Sequence, residues 1–316
     1  MADLPQTTPK MTKYVNVVII DYPYALQSAI QGLKELLLLA NKSAAENNTD
    51  VHFTIEVITH DQKEIPQTID LIILPPNLDG TYFETPEPEL LQRIVDAHQS
   101  GAIICSACAG AFILAKTGLL DNRTVTTHWQ LEEKFKQAFP CISLNVESLL
   151  INDGDIISAG GLMSWIDLGM EIVAQFAKPS VMRALGKFLI VDTGKREQKY
   201  YVSFSPKLDH GNKPILKVQH YIQANYSESL NVSLLAEKAF MTERTFYRQF
   251  TEATTLKPTE YVQKIRVQKA CELLESSSIS FEQIALSVGY DDANSFRKVF
   301  NKIMGLSPSS FRARFS

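Results

Sequence analysis

The sequence lacks several features that would assign it to a specialised class of protein. Four cysteines in 316 residues are too few for a disulfide framework, and we expect reduced thiols. No run of about 18 apolar residues is present, as a membrane-spanning helix would require. The first residues, Met1–Pro5, lack the basic and apolar pattern of a signal peptide. We therefore expect a cytoplasmic protein with no membrane partner.

A strong excess of one charge is also missing, because the formal net charge is only −4. The charge is unevenly divided, however. Residues 213–316 carry 14 Lys and Arg against 10 Asp and Glu, whereas the rest of the chain carries 17 against 25. A chain of this length is expected to form two domains. The asymmetry fits a basic, nucleic-acid-binding domain joined to an acidic one.

Two stretches near the C-terminus repeat each other. Each has two phenylalanines four residues apart, then a proline, then an aromatic residue three positions after the proline. The copies begin at Phe246 and Phe296, whereas the alanines before them, Ala236 and Ala285, lie one residue closer together. The second turn therefore contains one extra residue. Two helix-turn-helix units joined by a helix over Pro258–Glu275 would explain the repeat, and they indicate DNA binding.

The reading face of each unit follows from its buried stripe. A recognition helix buries one side in its own domain and offers the opposite side to the major groove. With Phe246 and Phe250, or Phe296 and Phe300, facing inward, a rotation of about 100° per residue defines the outer side. The expected DNA-binding residues are Arg244, Tyr247 and Arg248 in the first copy, and Asn294, Arg297 and Lys298 in the second.

Two alternatives remain open for this surface. The cationic residues could simply be solvated, although the same outward register in both copies favours DNA binding. The nearby carboxylates Glu243, Asp291 and Asp292 could cap helices or accept a hydrogen bond from cytosine N4. Among the helix starts, Thr242, Ser280-x-x-Gln283 and Ser307-Pro308 are the expected caps.

Residues 215–315 resemble the AraC/XylS-type DNA-binding domain. The resemblance rests on Ile284-Ala285, Val288-Gly289-Tyr290, Phe296, Phe300, Gly305-Leu306-Ser307-Pro308 and Phe311-Arg312. It implies a transcriptional regulator that binds promoter half-sites, usually as a homodimer.

In the N-terminal half, short apolar segments alternate with helical ones. Residues 14–20, 51–59, 69–74 and 102–105 are candidate buried strands. This alternation predicts a parallel sheet covered on both faces. A hairpin turn is expected at Asn152-Asp153-Gly154-Asp155.

Cys108 follows the last of these strands in a run of small residues, 105–111. Strand, crowded turn and helix are the elements of a nucleophile elbow, and a helix N-terminus would make the thiol easier to ionise. His128 could lie nearby. Four interpretations of Cys108 stay open, namely a small residue that the turn requires, a ligand-pocket wall, a redox or covalent sensor, and a nucleophile. His128 is either a core histidine or a pocket residue.

Residues 14–190 resemble the PfpI/ThiJ-type, glutamine-amidotransferase-like domain, and the two-domain combination resembles the GlxA-like regulators. The matching segments are Cys108–Phe112, Gly118–Asp121, Thr126–Trp129 and Ser158–Gly160. Enzymes related to that domain pair the cysteine with a histidine and an acidic residue on the first helix, and they stabilise an oxyanion with backbone N–H groups. Here Gln27–Gly32 contains no acid, and Pro76 removes an N–H. We therefore expect no catalytic residues, cofactor or metal, but a surviving ligand pocket at Cys108, His128, Pro76, Ala29 and Gly160.

The resulting prediction is an α/β protein with an all-α C-terminal part. A flavodoxin-like parallel sheet between helices, residues 12–192, senses a small-molecule effector and dimerises. A linker spans 193–213, and a double helix-turn-helix domain, 214–316, binds double-stranded DNA at promoters in the bacterial nucleoid. Two alternatives are a cysteine-dependent hydrolase, amidase or glyoxalase-like enzyme with an appended helical domain, and a regulator whose first domain only dimerises.

Overall fold

A computed structural model of the chain describes residues 12–62, 66, 68–194, 197–201 and 204–316. Met1–Pro5, where the sequence lacks a signal-peptide pattern, and the cationic residues 195–196 of the predicted linker lie outside these ranges. The chain forms two compact units, Met1–Gln198 and Lys199–Ser316. Within the described ranges, no helix combines the length and apolar character needed to cross a membrane.

The first unit is built on a sheet in the order β2-β1-β3-β4-β8-β7. Its first five strands are mutually parallel, and β7 joins the edge antiparallel through the predicted hairpin. An order that begins 2-1-3-4 is that of flavodoxin-like sheets, so the predicted fold class is confirmed. The strands are β1 Lys13–Asp21, β2 Val51–Thr59, β3 Leu71–Leu74, β4 Ile103–Ala107, β7 Leu150–Asn152 and β8 Ile156–Ala159.

Two groups of helices cover this sheet, because strands that are buried along their length need cover on both faces. In one group α1 packs against α5 and α6, and in the other α2 packs against α3. A small parallel pair, β5 Thr124–Val125 with β6 Ser143–Leu144, was not predicted, since two-residue strands are too short to leave a pattern. The helices are α1 Gln27–Glu46, α2 Pro88–Gln99, α3 Gly110–Lys116, α4 Glu132–Ala138, α5 Trp165–Phe176 and α6 Pro179–Leu189.

Among the described residues of the second unit, 199–201 and 204–316, the regular elements are all helices, and they enclose two hydrophobic cores. The helices are α7 Lys213–Ala224, α8 Val232–Lys238, α9 Glu243–Thr254, α10 Pro258–Ser276, α11 Phe281–Ser287, α12 Ala293–Met304 and α13 Pro308–Phe315. The connecting helix α10 contributes Tyr261 and Ile265 to the first core, and Val267 and Leu274 to the second. A single helix thus belongs to both cores, as the predicted connector requires.

The predicted helix starts are confirmed. The Thr242 and Ser307 side chains accept hydrogen bonds from backbone N–H groups in the first turns of α9 and α13. Ser280 and Gln283 form both hydrogen bonds of a capping box at α11. Each cap satisfies a backbone donor that has no partner inside its helix, and it defines where that helix begins.

Candidate nucleic-acid interface and candidate ligand site

Helices α9 and α12 each have one buried and one exposed face. Phe246, Phe250, Phe296 and Phe300 are fully buried. Within each pair the ring centroids lie 5.3 Å and 6.3 Å apart, respectively. The opposite faces carry the predicted DNA-binding residues. Arg244, Tyr247, Arg248, Asn294 and Lys298 are exposed, and Arg297 is partly buried.

The repeat extends to the aromatic contacts that hold these helices. Phe250 meets Tyr261 edge to face, with ring centroids 5.2 Å apart and an angle of 90°. Phe300 meets Phe311 in the same arrangement, at 5.8 Å and 87°. Such pairs add about 0.5–1.5 kcal/mol beyond the buried area. Each recognition helix is thereby fixed against the helix that follows it.

The two turns differ by one residue, as predicted from the offset of the alanines. Four residues, 239–242, separate α8 from α9, and five, 288–292, separate α11 from α12. Phe240 and Gly289 hold equivalent left-handed positions, with φ of 54° and 85°. Only glycine fits the second turn, because a Cβ on Gly289 would lie 2.4 Å from the backbone oxygen of Ser227.

The second recognition helix carries contacts that the sequence did not reveal. Arg297 donates hydrogen bonds to Asn294 and to Glu282 of α11, and its guanidinium lies 5.2 Å from the ring centroid of Phe281. Asp292 accepts from the backbone N–H groups of Asn294 and Ser295. Of the two interpretations of Asp292, the structure therefore supports capping.

In the first unit, Cys108 occupies the predicted elbow between β4 and α3. Its backbone is left-handed, with φ of 52°. The Cys108 N–H donates to the oxygen of Ala159, at 2.8 Å, and its carbonyl accepts from the hydroxyl of Thr127, at 2.7 Å. These two bonds tie the elbow to residues adjacent to Gly160 and His128.

The chemistry of the elbow differs from that of an activated nucleophile. Burial raises the pKa of the Cys108 thiol to about 11, so the expectation of an easily ionised thiol is wrong. Desolvation of the thiol outweighs the hydrogen bond from the backbone of Ala109, which lowers the pKa. Burial also lowers the pKa of His128, whose Nδ1 accepts from the backbone N–H of Gln130 at 3.1 Å.

The loop after β3 presents carbonyl groups to its neighbours. The oxygen of Pro76 accepts from the backbone N–H of Leu26 at 2.8 Å, and that of Pro75 accepts from the hydroxyl of Tyr22. A Cβ on Gly110 would lie 2.5 Å from the oxygen of Leu74. Hydrogen-bond acceptors face the start of α3 here, whereas an oxyanion hole requires donors.

The predicted pocket residues are largely covered. Cys108, Pro76, Ala29 and Gly160 are buried, and His128 is half-buried. The cover over Gly160 is the side chain of Gln198, because a Cβ on Gly160 would lie 1.9 Å from its Nε2. Gln198 falls within the stretch predicted as a linker, where loop-like composition gave no sign of a buried residue.

Cavities among the described residues of this unit include two that lie elsewhere. One of about 720 Å³ lies between the end of β1 and the start of α1, and Tyr22, Ser28 and His60 line it. The other, of about 320 Å³, is lined by side chains that include Ser148, Asp167, Glu171 and Glu197. None of the five predicted pocket residues lines either cavity.

Comparison with known proteins matches both parts of the chain. Residues 19–175 match the model of the DJ-1/PfpI family, and residues 235–314 match that of a helix-turn-helix domain. The chain joins a DJ-1/PfpI domain to an AraC-type helix-turn-helix domain. The family resemblance seen in the sequence is thereby confirmed, and so is the class of transcriptional regulators to which it points.

Individual relatives agree with this assignment. The chain is 26% identical over 227 residues to the HTH-type transcriptional regulator CdhR of Pseudomonas aeruginosa, which covers 72% of this chain and 67% of CdhR. It is also 26% identical over 215 residues to the HTH-type transcriptional regulator GlxA of Rhizobium meliloti, covering 68% and 66%. The chain thus spans about two thirds of the length of these relatives.

A solved structure supports the fold of the larger domain. It belongs to a transcriptional regulator from Vibrio parahaemolyticus and covers 56% of this chain and all of that one. The TM-score is 0.50 and the sequence identity is 22%. At this identity the likeness concerns the fold alone.

Proposed function

We propose that this AraC-type regulator binds promoter DNA by placing α9 and α12 in successive major-groove segments of double-stranded DNA. The observation that carries the proposal is the repeated face opposite the buried phenylalanines. Both copies expose side chains that can bond to base edges or phosphates. Arginine suits the O6 and N7 atoms of guanine, and asparagine suits the N6 and N7 atoms of adenine. The bonds of Arg297 to Glu282 and Asn294 suggest a supporting role for this residue.

In this proposal the first domain regulates DNA binding and does not catalyse a reaction. A small-molecule effector binds near the Cys108 elbow and favours one state of the protein, by no more than its differential affinity for the two states. The raised pKa of Cys108, the covered Gly160 and the carbonyl-lined loop all argue against turnover at the elbow. We further propose that the regulator acts as a homodimer, on the nucleoid and therefore in the cytoplasm.

The experiment is retention of fragmented genomic DNA by the purified full chain, sequenced at several salt concentrations. Recovery of a discrete site with two elements about one duplex turn apart would support the proposal. Retention without sequence preference, lost steeply as salt rises, would reduce the protein to a non-specific electrostatic binder.

A cysteine-dependent enzyme is the second candidate, and the left-handed Cys108 at a strand-to-helix elbow is the observation that favours it. Elbow geometry exposes a nucleophile in hydrolases. Turnover of ester, amide or 2-oxoaldehyde substrates that Cys108→Ala abolishes would support this candidate. Equal rates for the wild type and the variant would remove it.

A further inference from the structure

Gln198 is buried although it lies in a stretch of loop-like composition. Only 2% of the residue is exposed. Its backbone N–H donates to the oxygen of Glu147 at 2.9 Å, and the preceding Glu197 pairs with Ser148 in an antiparallel bridge. The last residues of the first unit are therefore attached to it in the manner of a short strand.

The side chain of Gln198 ends in a site with converging acceptors. Its Nε2 lies 3.1 Å from Thr126 Oγ1, 2.9 Å from the oxygen of Thr127 and 3.1 Å from the oxygen of Ser148. Gly160 completes the site, since any larger residue would meet the amide. We call the position defined by these three oxygens and Gly160 the amide site.

An amide matches this site imperfectly. An amide nitrogen has two hydrogens, whereas the amide site presents three acceptors. The Oε1 atom of Gln198 is buried and has no hydrogen-bond partner among the described residues. A primary ammonium group offers three N–H donors at one point and no acceptor that would need a partner. The site is therefore better matched to an ammonium group than to the amide that fills it.

We propose that the amide site binds the ammonium group of a small amine, and that Gln198 is a tethered competitor for it. The inference rests on the proposed effector control and names its site. Ser148 also lines the cavity of about 320 Å³, together with Asp167 and Glu171, so room for the rest of a cationic ligand adjoins the site. Carboxylates beside a cation lower its energy.

Displacement would act on the connection between the two units. Gln198 is the last residue of the first unit, and Lys199 is the first residue of the second. An amine that expels Gln198 releases the chain at this point. The hydroxyl of Thr127, which bonds the carbonyl of Cys108, links the same site to the elbow.

The test uses the full chain and calorimetric titration with two probes. Gln198→Ala removes the competitor and leaves the three acceptors. Methylammonium chloride carries three N–H donors, whereas tetramethylammonium chloride carries none. We expect Gln198→Ala to bind methylammonium saturably and at least about tenfold more tightly than the wild type does, because a tethered group competes at a high effective concentration. Tetramethylammonium should not bind the amide site.

Gln92→Ala provides the matched control, since Gln92 is exposed on α2 and, within the described part of the chain, its side chain bonds only to Asp96 of the same helix. This variant should bind methylammonium as weakly as the wild type does. If Gln198→Ala fails to fold, Gln198→Asn carries the test, because it withdraws the amide by one methylene and keeps its polarity. Absence of saturable binding by the folded variant, or equal binding of both probes, would overturn the inference.

The outcome is separate from that of the proposed function, because calorimetry requires no DNA. A wild type that retains a discrete DNA site while folded Gln198→Ala binds no methylammonium refutes the inference alone. Methylammonium binding without sequence-specific retention of DNA refutes the proposed function and keeps the ammonium site. If the variant and the wild type bind that DNA equally with and without methylammonium, the regulatory half of the inference falls.

Discussion

We expect replacement of Arg248 by alanine to weaken sequence-specific DNA binding without a substantial change in the fold. Arg248 is exposed on α9, on the side opposite the buried Phe246 and Phe250. Substitution of a surface residue away from caps and ion pairs changes the free energy of unfolding by less than about 0.5 kcal/mol. Any larger effect on promoter binding would then report a lost contact to DNA.

The expected magnitude follows from the contact that the residue can make. A bidentate arginine–guanine pair contributes about 1–3 kcal/mol of discrimination, which corresponds to roughly 5-fold to 150-fold in affinity. Arg297→Ala should cost less, because Arg297 must first leave Glu282. Lys298→Ala should weaken binding by nearly the same factor for every DNA sequence, and it should reduce the slope of log affinity against log salt concentration by about one.

The assay is fluorescence anisotropy with a duplex taken from the genomic selection and with a scrambled duplex, at two salt concentrations. Lys187→Ala, which removes an exposed cation from α6 of the other unit, is the control for net charge. Arg248→Ala should lose affinity for the selected duplex and little for the scrambled one. Wild-type affinity in both Arg248→Ala and Lys298→Ala would refute the assignment of the reading faces.

Three further predictions concern stability and reactivity. Thr255 and Gly305 lie at left-handed positions at the ends of α9 and α12. Thr255→Gly should therefore raise the free energy of unfolding by about 1 kcal/mol, and Gly305→Ala should lower it by a similar amount. Chemical denaturation measures both changes, and variants as stable as the wild type would contradict the backbone strain. Exposed Cys141 should react with iodoacetamide at pH 8 well before Cys108, because the pKa of about 11 keeps the Cys108 thiol protonated. Mass spectrometry of peptides measures the rate of labelling at each cysteine. Faster labelling of Cys108 would show that burial does not control the reactivity of its thiol. Burial lowers the pKa of His128, so as the pH falls the unfolded chain binds a proton on this imidazole before the folded chain does, and the free energy of unfolding should fall below about pH 6.5. Urea titrations at pH 8 and pH 5.5 should show a smaller loss of stability in His128→Gln than in the wild type. An equal loss in both proteins would contradict this prediction.

The sequence predicted most of the architecture because its signals are local and periodic. The buried strands have continuous apolar runs, and the double unit has a repeat whose one-residue offset appears as the longer turn at Gly289. The caps at Thr242, Ser280 and Ser307 follow from adjacent residues and were found for that reason.

The sequence could not predict which side chains fill the candidate ligand site, because this depends on contacts between segments that are distant in the chain. Gln198 meets Thr126 across 72 positions of the chain, and composition alone made its segment look like a linker. The pKa of Cys108 depends on burial, which the run of small residues around it does not specify. The contact of Arg297 with Glu282 likewise joins residues of two different helices that lie fifteen positions apart in the chain.

The central claim is that the two repeated units read two successive major-groove segments. Depurination-interference footprinting of the full chain on its selected duplex tests this most directly, because removal of a guanine or adenine base takes away the major-groove atoms that arginine and asparagine contact. Two patches about 10 base pairs apart on one face of the duplex are expected, one lost in Arg248→Ala and the other in Asn294→Ala. A single patch, or two patches that both variants leave unchanged, would contradict the claim.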